Sequence, residues 1–257
     1  MRPVLFLIAS LCLLLAGCLP GTRPDQPIPT LRLPAASQAA PKRLVVVLPG
    51  RADDLPALKR SGVADAVQRA WPDADVVFAE LRLGDYKHGD APERLHRDVI
   101  LPARHEGYRE IWLAGASLGG MGTLMYDRLH PAQVTGLILL APYLGEGAAP
   151  DAVADAGGLS RWTPPGTAGL PERKAWQYDL WRHLHAIAGD PAAARRVWLA
   201  YGREDRLRPA IELFAPALPP DHVLVRDGGH QWQVWTPAME AVLRRIDGAP
   251  AAAHPSP

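Results

Sequence analysis

Two habits of apolar spacing alternate along this chain. Short continuous runs, such as Arg43-Leu-Val-Val-Val-Leu48 and Gly136-Leu-Ile-Leu-Leu-Ala141, are separated by longer stretches in which apolar residues recur at helical spacing. The runs predict strands at 43–48, 75–80, 111–114, 136–141, 196–201 and 222–226. The stretches between predict helices near 55–71, 91–106, 121–129, 175–187, 209–217 and 234–246. A strand that is apolar on both sides is buried on both faces. Joined by helices, such strands form a parallel sheet covered above and below. The expected class is therefore α/β, with a doubly wound, mainly parallel sheet and helices on both faces. No internal repeat is present.

One interval breaks the rhythm. The strand ending at Ala141 and the one starting at Arg196 are separated by an insertion at about 145–190. Its first part is rich in Gly, Pro and Ala. The helix that follows carries Trp176, Tyr178 and Trp181. An excursion of this length in a compact domain is usually a lid or binding element. An irregular insertion packed down by its tryptophans is the other reading, and the two are compatible.

The ends read differently from the middle. Arg2 precedes an apolar stretch at 4–15 that is short for a membrane span, as in a secretory leader. Leu15-Ala16-Gly17-Cys18 follows. This segment resembles the lipobox of bacterial lipoproteins, which implies a signal peptide at 1–17 and a lipidated Cys18. An ordinary cleaved leader and a short anchor are the plainer alternatives. Leu19 is not the aspartate associated with inner-membrane retention, so the resemblance implies an outer-membrane anchor facing the periplasm. Residues 18–41 read as a Pro-rich tether, 42–247 as the folded domain and 248–257 as a flexible tail. The only cysteines, Cys12 and Cys18, both precede the domain. The domain thus has no disulfide and no cysteine nucleophile. With 28 Lys+Arg against 27 Asp+Glu, the net charge of +1 gives no reason to expect nucleic acid.

The candidate chemistry centres on Gly115-Ala-Ser117-Leu-Gly119. An apolar strand leads into it and a helix leaves it. A serine in so tight a strand-to-helix turn projects its hydroxyl, and the free N–H groups of the helix start can receive an oxyanion. Ser117 as a simple helix cap is the lesser reading. A nucleophilic serine needs a base, and the base needs an orienting acid. Ligands gather at the C-terminal ends of the strands in such a sheet. Asp205 follows one strand in Gly202-Arg-Glu-Asp205, and His230 follows the next in Asp227-Gly-Gly-His230. Glu204, Asp227 and Glu146 compete for the acid. His183 and His185, two apart on a helix, face different directions and make a poor metal pair. His88, His96, His105 and His130 read as ordinary surface residues. No zinc signature, phosphate loop or dinucleotide fingerprint is found, so neither metal nor cofactor is expected.

The order Ser117, Asp205, His230 resembles that of the α/β-hydrolase family, over about residues 44–246. Gly-Gly-His230-Gln-Trp232 is similar to the Gly-Gly-His-x-Trp segment of family esterases. The resemblance implies an α/β-hydrolase-type sheet with a lid or cap after the fourth predicted strand, and a serine hydrolase of carboxylesterase type. It also implies two oxyanion donors. One is the Leu118 N–H. The other comes from Leu48-Pro49-Gly50-Arg51-Ala52, where the family often has His-Gly, and Arg51 N–H is the expected donor. The Arg51 side chain would pair with Asp53 or Asp54, or face substrate. Trp162, Trp176, Trp181 and Trp232 are candidates for an apolar acyl pocket, or for core. Small-molecule esters or thioesters are the expected substrates, because their leaving groups need less protonation help than an amine. A peptidase or amidase on the same residues, and a non-catalytic lipoprotein that binds a ligand or partner, are the alternatives.

Overall fold

The computed structural model describes residues 26–37, 43–166 and 172–248, with nothing said of side chains at 172–174. The expected leader at 1–17, Cys18 and the tail beyond 248 lie outside the described residues.

Seven strands form one sheet: β1 (Thr30–Leu33), β2 (Arg43–Leu48), β3 (Ala74–Ala79), β4 (Glu110–Ala116), β5 (Gly136–Leu140), β6 (Val197–Gly202) and β7 (Val223–Arg226). Their order is β1-β3-β2-β4-β5-β6-β7. Every pairing is parallel except β1 with β3. Six strands match the predicted runs. β1 is additional and lies inside the segment read as a tether. Its four residues alternate in exposure and cover the edge of β3, Thr30 opposite Ala79 and Leu33 opposite Val76. An edge so covered presents fewer unpaired backbone groups to another chain.

The helices are α1 (Leu55–Arg60), α2 (Val63–Ala70), α3 (Leu83–His88), α4 (Ala91–Leu95), α5 (Leu101–His105), α6 (Leu118–Leu129), α7 (Ala148–Asp155), α8 (Glu172–Gly189), α9 (Pro191–Ala194), α10 (Arg208–Phe214) and α11 (Trp232–Gly248). The single helix expected over 55–71 is divided, because Gly62 takes φ 73° between α1 and α2. Asp54 caps α1 by accepting the Ala57 N–H at 2.8 Å. Between α4 and α5 the chain continues as a π-helix, His96–Ile100. Among the described residues, no helix is long and apolar enough to cross a membrane.

The insertion holds α7 and α8, and α8 belongs to the core. Leu180, Trp181, Leu184 and Ile187 are buried. The Trp181 indole N–H donates to Leu144 O at 2.8 Å. His183 Nε2 meets Asp127 Oδ2 at 3.1 Å, and Arg196 donates to Asp127 Oδ1 at 3.1 Å. Asp127 on α6 thus ties the insertion helix and the start of β6 to one buried carboxylate. Burial raises its pKa and the bonds and charge of His183 and Arg196 lower it, with a net shift downward. Two histidines read as surface residues are packed instead. His96 and His130 stack at 4.1 Å, and His96 Nδ1 lies 3.0 Å from the Tyr126 hydroxyl.

Candidate active site

Parallel register brings the C-terminal ends of β2, β4, β5, β6 and β7 to one rim of the sheet. The turn after β4 is the most constrained point on it. Ser117 has φ 53° and ψ −111°, a backbone conformation that a side-chain-bearing residue holds only when its surroundings impose it. Ser117 N–H donates to Leu140 O at 2.9 Å, and Ser117 O accepts from Tyr143 N–H at 2.9 Å and Met121 N–H at 3.2 Å. The flanking glycines have no room for a side chain. A Cβ at Gly115 would lie 2.2 Å from Gly119 O, and one at Gly119 would lie 2.4 Å from Leu48 O. Strand and helix therefore meet closely at Ser117, immediately before α6.

Asp205 and His230 meet as their strands predict. Both Asp205 oxygens lie close to His230 Nδ1, at 2.9 and 2.8 Å. Asp205 is 4% exposed, and its Oδ1 also accepts the Leu207 N–H at 2.8 Å. The carboxylate fixes the ring through Nδ1 and leaves Nε2 for another partner. Among the described residues none of the competing acids bonds to His230. Glu204 binds the Gly228 N–H, Asp227 is exposed and pairs with Arg203 at 3.0 Å, and Glu146 is exposed. Among the described residues, His230 makes no hydrogen bond to Ser117; its bonds are to Asp205. Such a bond is commonly long in a ligand-free hydrolase and tightens when substrate fills the gap.

Two backbone donors lie beside the serine turn. Leu118 is the first residue of α6. Arg51 is in the turn Gly50–Asp53, closed by Asp53 N–H to Gly50 O at 3.2 Å. Neither N–H is taken by a backbone acceptor among the described residues. The Arg51 side chain is exposed and pairs with neither Asp53 nor Asp54. Asp53 does something the sequence did not suggest. Its Oδ2 accepts the Gly50 N–H at 3.1 Å and the Trp232 indole N–H at 2.9 Å.

The four tryptophans separate. Trp162 and Trp181 are core, at 5% and 0% exposure, with Trp162 edge-on to His185 at 6.2 Å. Trp176 is half-buried, 6.2 Å from the Tyr143 ring that follows β5. Trp232 is half-buried and committed to Asp53. Tyr143, which sequence reasoning passed over, touches the serine turn through its N–H. Burial, and then Glu146, hold its phenol above the usual range, so it stays a neutral hydroxyl.

Residues 101–246 match the model of the Esterase family. The chain belongs to this family. The matched span begins at α5 and ends in α11, so it carries Ser117, Asp205 and His230 but not the Arg51 turn. No curated protein matches the chain. Solved structures share its fold. A ferulic acid esterase is 19% identical, with TM-score 0.56 over 86% of this chain and 97% of that one. The monoacylglycerol lipase of Paleococcus ferrophilus is 14% identical, with TM-score 0.54 over 86% and 99%. An S-formylglutathione hydrolase of Agrobacterium tumefaciens is 16% identical, with TM-score 0.54 over 84% and 87%. At these identities the likeness establishes the α/β-hydrolase fold, and family membership makes the chain an ester hydrolase of carboxylesterase type.

Proposed function

We propose that this esterase cleaves small carboxylic esters or thioesters through an acyl-enzyme on Ser117. His230 takes the serine proton through Nε2 and returns it to the leaving group. Asp205 orients the ring and stabilises its charged form. The Leu118 and Arg51 N–H groups hold the tetrahedral oxyanion. Water then attacks the acyl-enzyme by the same path in reverse. The observation that carries this reading is the imposed φ of 53° at Ser117, on the same rim as a buried Asp205–His230 pair.

The test is hydrolysis of p-nitrophenyl esters from acetyl to palmitoyl by the wild type and Ser117→Ala. The variant should lose on the order of 10³-fold or more in kcat. Equal rates in the two proteins sink the assignment. The length profile gives the size of the acyl site.

The leader reading extends the proposal. A signal peptide at 1–17 and lipidated Cys18 would hold the domain on the periplasmic face of the outer membrane. Palmitate labelling of the full chain that disappears in Cys18→Ala supports the anchor, and labelling that persists removes it.

A further inference from the structure

The turn after β2 contains a carboxylate that the proposed chemistry does not use. Asp53 Oδ2 receives two donors, the Gly50 N–H at 3.1 Å and the Trp232 indole N–H at 2.9 Å. The first closes the turn that presents Arg51. The second reaches across 179 positions of sequence to the residue two after His230. Trp232 packs edge-on against Trp235 at 5.3 Å, and Trp235 packs edge-on against the His230 ring at 4.7 Å. One oxygen therefore joins the loop with the Arg51 N–H to the start of α11, two residues beyond the histidine.

We infer that Asp53 is a positioning residue, which through Gly50 and Trp232 sets the oxyanion turn in register with His230. The inference rests on the serine-hydrolase reading. Its physical basis is the steepness of the chemistry. An oxyanion donor works only where the charge develops, and losing one costs about 10²–10³-fold. A misplacement near 1 Å can cost about 10²-fold. A two-residue loop apex has few bonds to hold it so closely. Two hydrogen bonds to one side-chain oxygen supply that restraint. A negative charge beside a developing oxyanion is unfavourable in itself. Its presence makes sense if the acceptor oxygen matters more than the charge, and asparagine separates the two.

The experiment compares wild type with Asp53→Ala, Asp53→Asn and Trp232→Phe, each also checked for melting temperature. It measures kcat and KM on p-nitrophenyl acetate and inhibition by a trifluoromethyl ketone, whose adduct places an oxyanion in the hole. Asp53→Ala should lower kcat about 30–100-fold, with KM within about twofold, and weaken the ketone in parallel. Asp53→Asn, which keeps an acceptor, should recover most of that loss. Trp232→Phe keeps the ring but loses the donor and should lower kcat about 3–10-fold. The double variant Asp53→Ala/Trp232→Phe should be no worse than Asp53→Ala alone.

An unchanged kcat in a folded Asp53→Ala overturns the inference. So does a loss that follows melting temperature alone, or an Asp53→Asn as poor as the alanine. If Asp53→Ala does not fold, Trp232→Phe decides, and an unchanged kcat there overturns it. These results leave Ser117-dependent turnover in place. Loss of Ser117 dependence in the wild type removes the serine reading, and the positioning role with it.

Discussion

Among the described residues two buried aspartates each hold a histidine, and the proposed chemistry uses only one of the pairs. Asp205 is 4% exposed and Asp127 is 5% exposed. Each holds a histidine whose side chain is 14% exposed. The difference lies in what completes each pair. Asp127 also carries the Arg196 guanidinium, and His183 meets it through Nε2 from the middle of α8. The three groups tie α6, α8 and the start of β6. Among the described residues Asp205 has no cation besides the histidine, and its second side-chain bond is to one backbone N–H. His230 meets it through Nδ1 from a loop, so Nε2 points away from the acid. A similar pair is structural where a cation and two helices enclose it. It is available for chemistry where a strand end and a loop leave one nitrogen free.

The comparison breaks most visibly at Asp205. Asp205→Asn keeps an acceptor for the Leu207 N–H but no longer favours the tautomer that leaves Nε2 as a base. Ester turnover should fall about 10⁴-fold, while the melting temperature stays within about 2 °C. A variant that keeps a tenth of wild-type turnover would move the acid elsewhere, with Glu146 the next group to replace.

The reverse outcome is expected at Asp127. Asp127→Ala leaves Arg196 and His183 without their carboxylate at a helix junction. Removing one member of a buried ion pair costs about 3–5 kcal/mol. Arg196 is 28% exposed and can be partly rehydrated, so the lower end applies, about 3 kcal/mol. For a chain of this size that is roughly 6–12 °C in melting temperature. Turnover per folded molecule at 20 °C should stay within about twofold. Thermal unfolding and active-site titration with a fluorophosphonate read the two effects separately. A loss of turnover at unchanged stability would make the two pairs alike.

The two pairs were not equally legible in the sequence. His230 follows Gly228-Gly229 directly beyond an apolar strand, so its place at the rim could be read from local pattern alone. Ser117 was legible for the same reason: glycines at both sides and the apolar run Ile111-Trp-Leu-Ala114 before it. His183 offered only its helical setting, which excluded a metal pair but named no partner. Asp127 lies 56 positions away, and only the packing of α8 on α6 joins them. Trp232 has a bond that the sequence did not suggest. An aromatic beside His230 suggests an acyl pocket or core, and neither reading names Asp53 as the partner of its indole N–H. The Asp at the end of a Pro-Gly-x-x-Asp turn was the available signal, since Asx side chains often bond their own turn. β1 was hidden because Thr-Leu-Arg-Leu is too short to show a period, and its pairing with β3 is a tertiary event.

The smallest expected effect sharpens the comparison by pH. In the folded protein burial is outweighed by the bonds and charge of His183 and Arg196, which hold the Asp127 carboxyl below the ordinary carboxylate range. A depressed folded pKa means the unfolded chain takes up the proton first as pH falls. The stabilisation is therefore whole above the unfolded pKa and is lost as pH drops through the folded one. Asp75 and Asp98 also have lowered values and act on the same acid limb, so the wild-type slope alone identifies nothing. The informative quantity is the difference between wild type and Asp127→Asn, followed by urea unfolding between about pH 5 and 2. The variant should be less stable above pH 5 and should lose stability less steeply below pH 4. The difference in slope cannot exceed one proton, about 1.4 kcal/mol per pH unit. Parallel curves would mean that Asp127 gains nothing from its charge, and that His183 and Arg196 are held by shape and neutral hydrogen bonds alone.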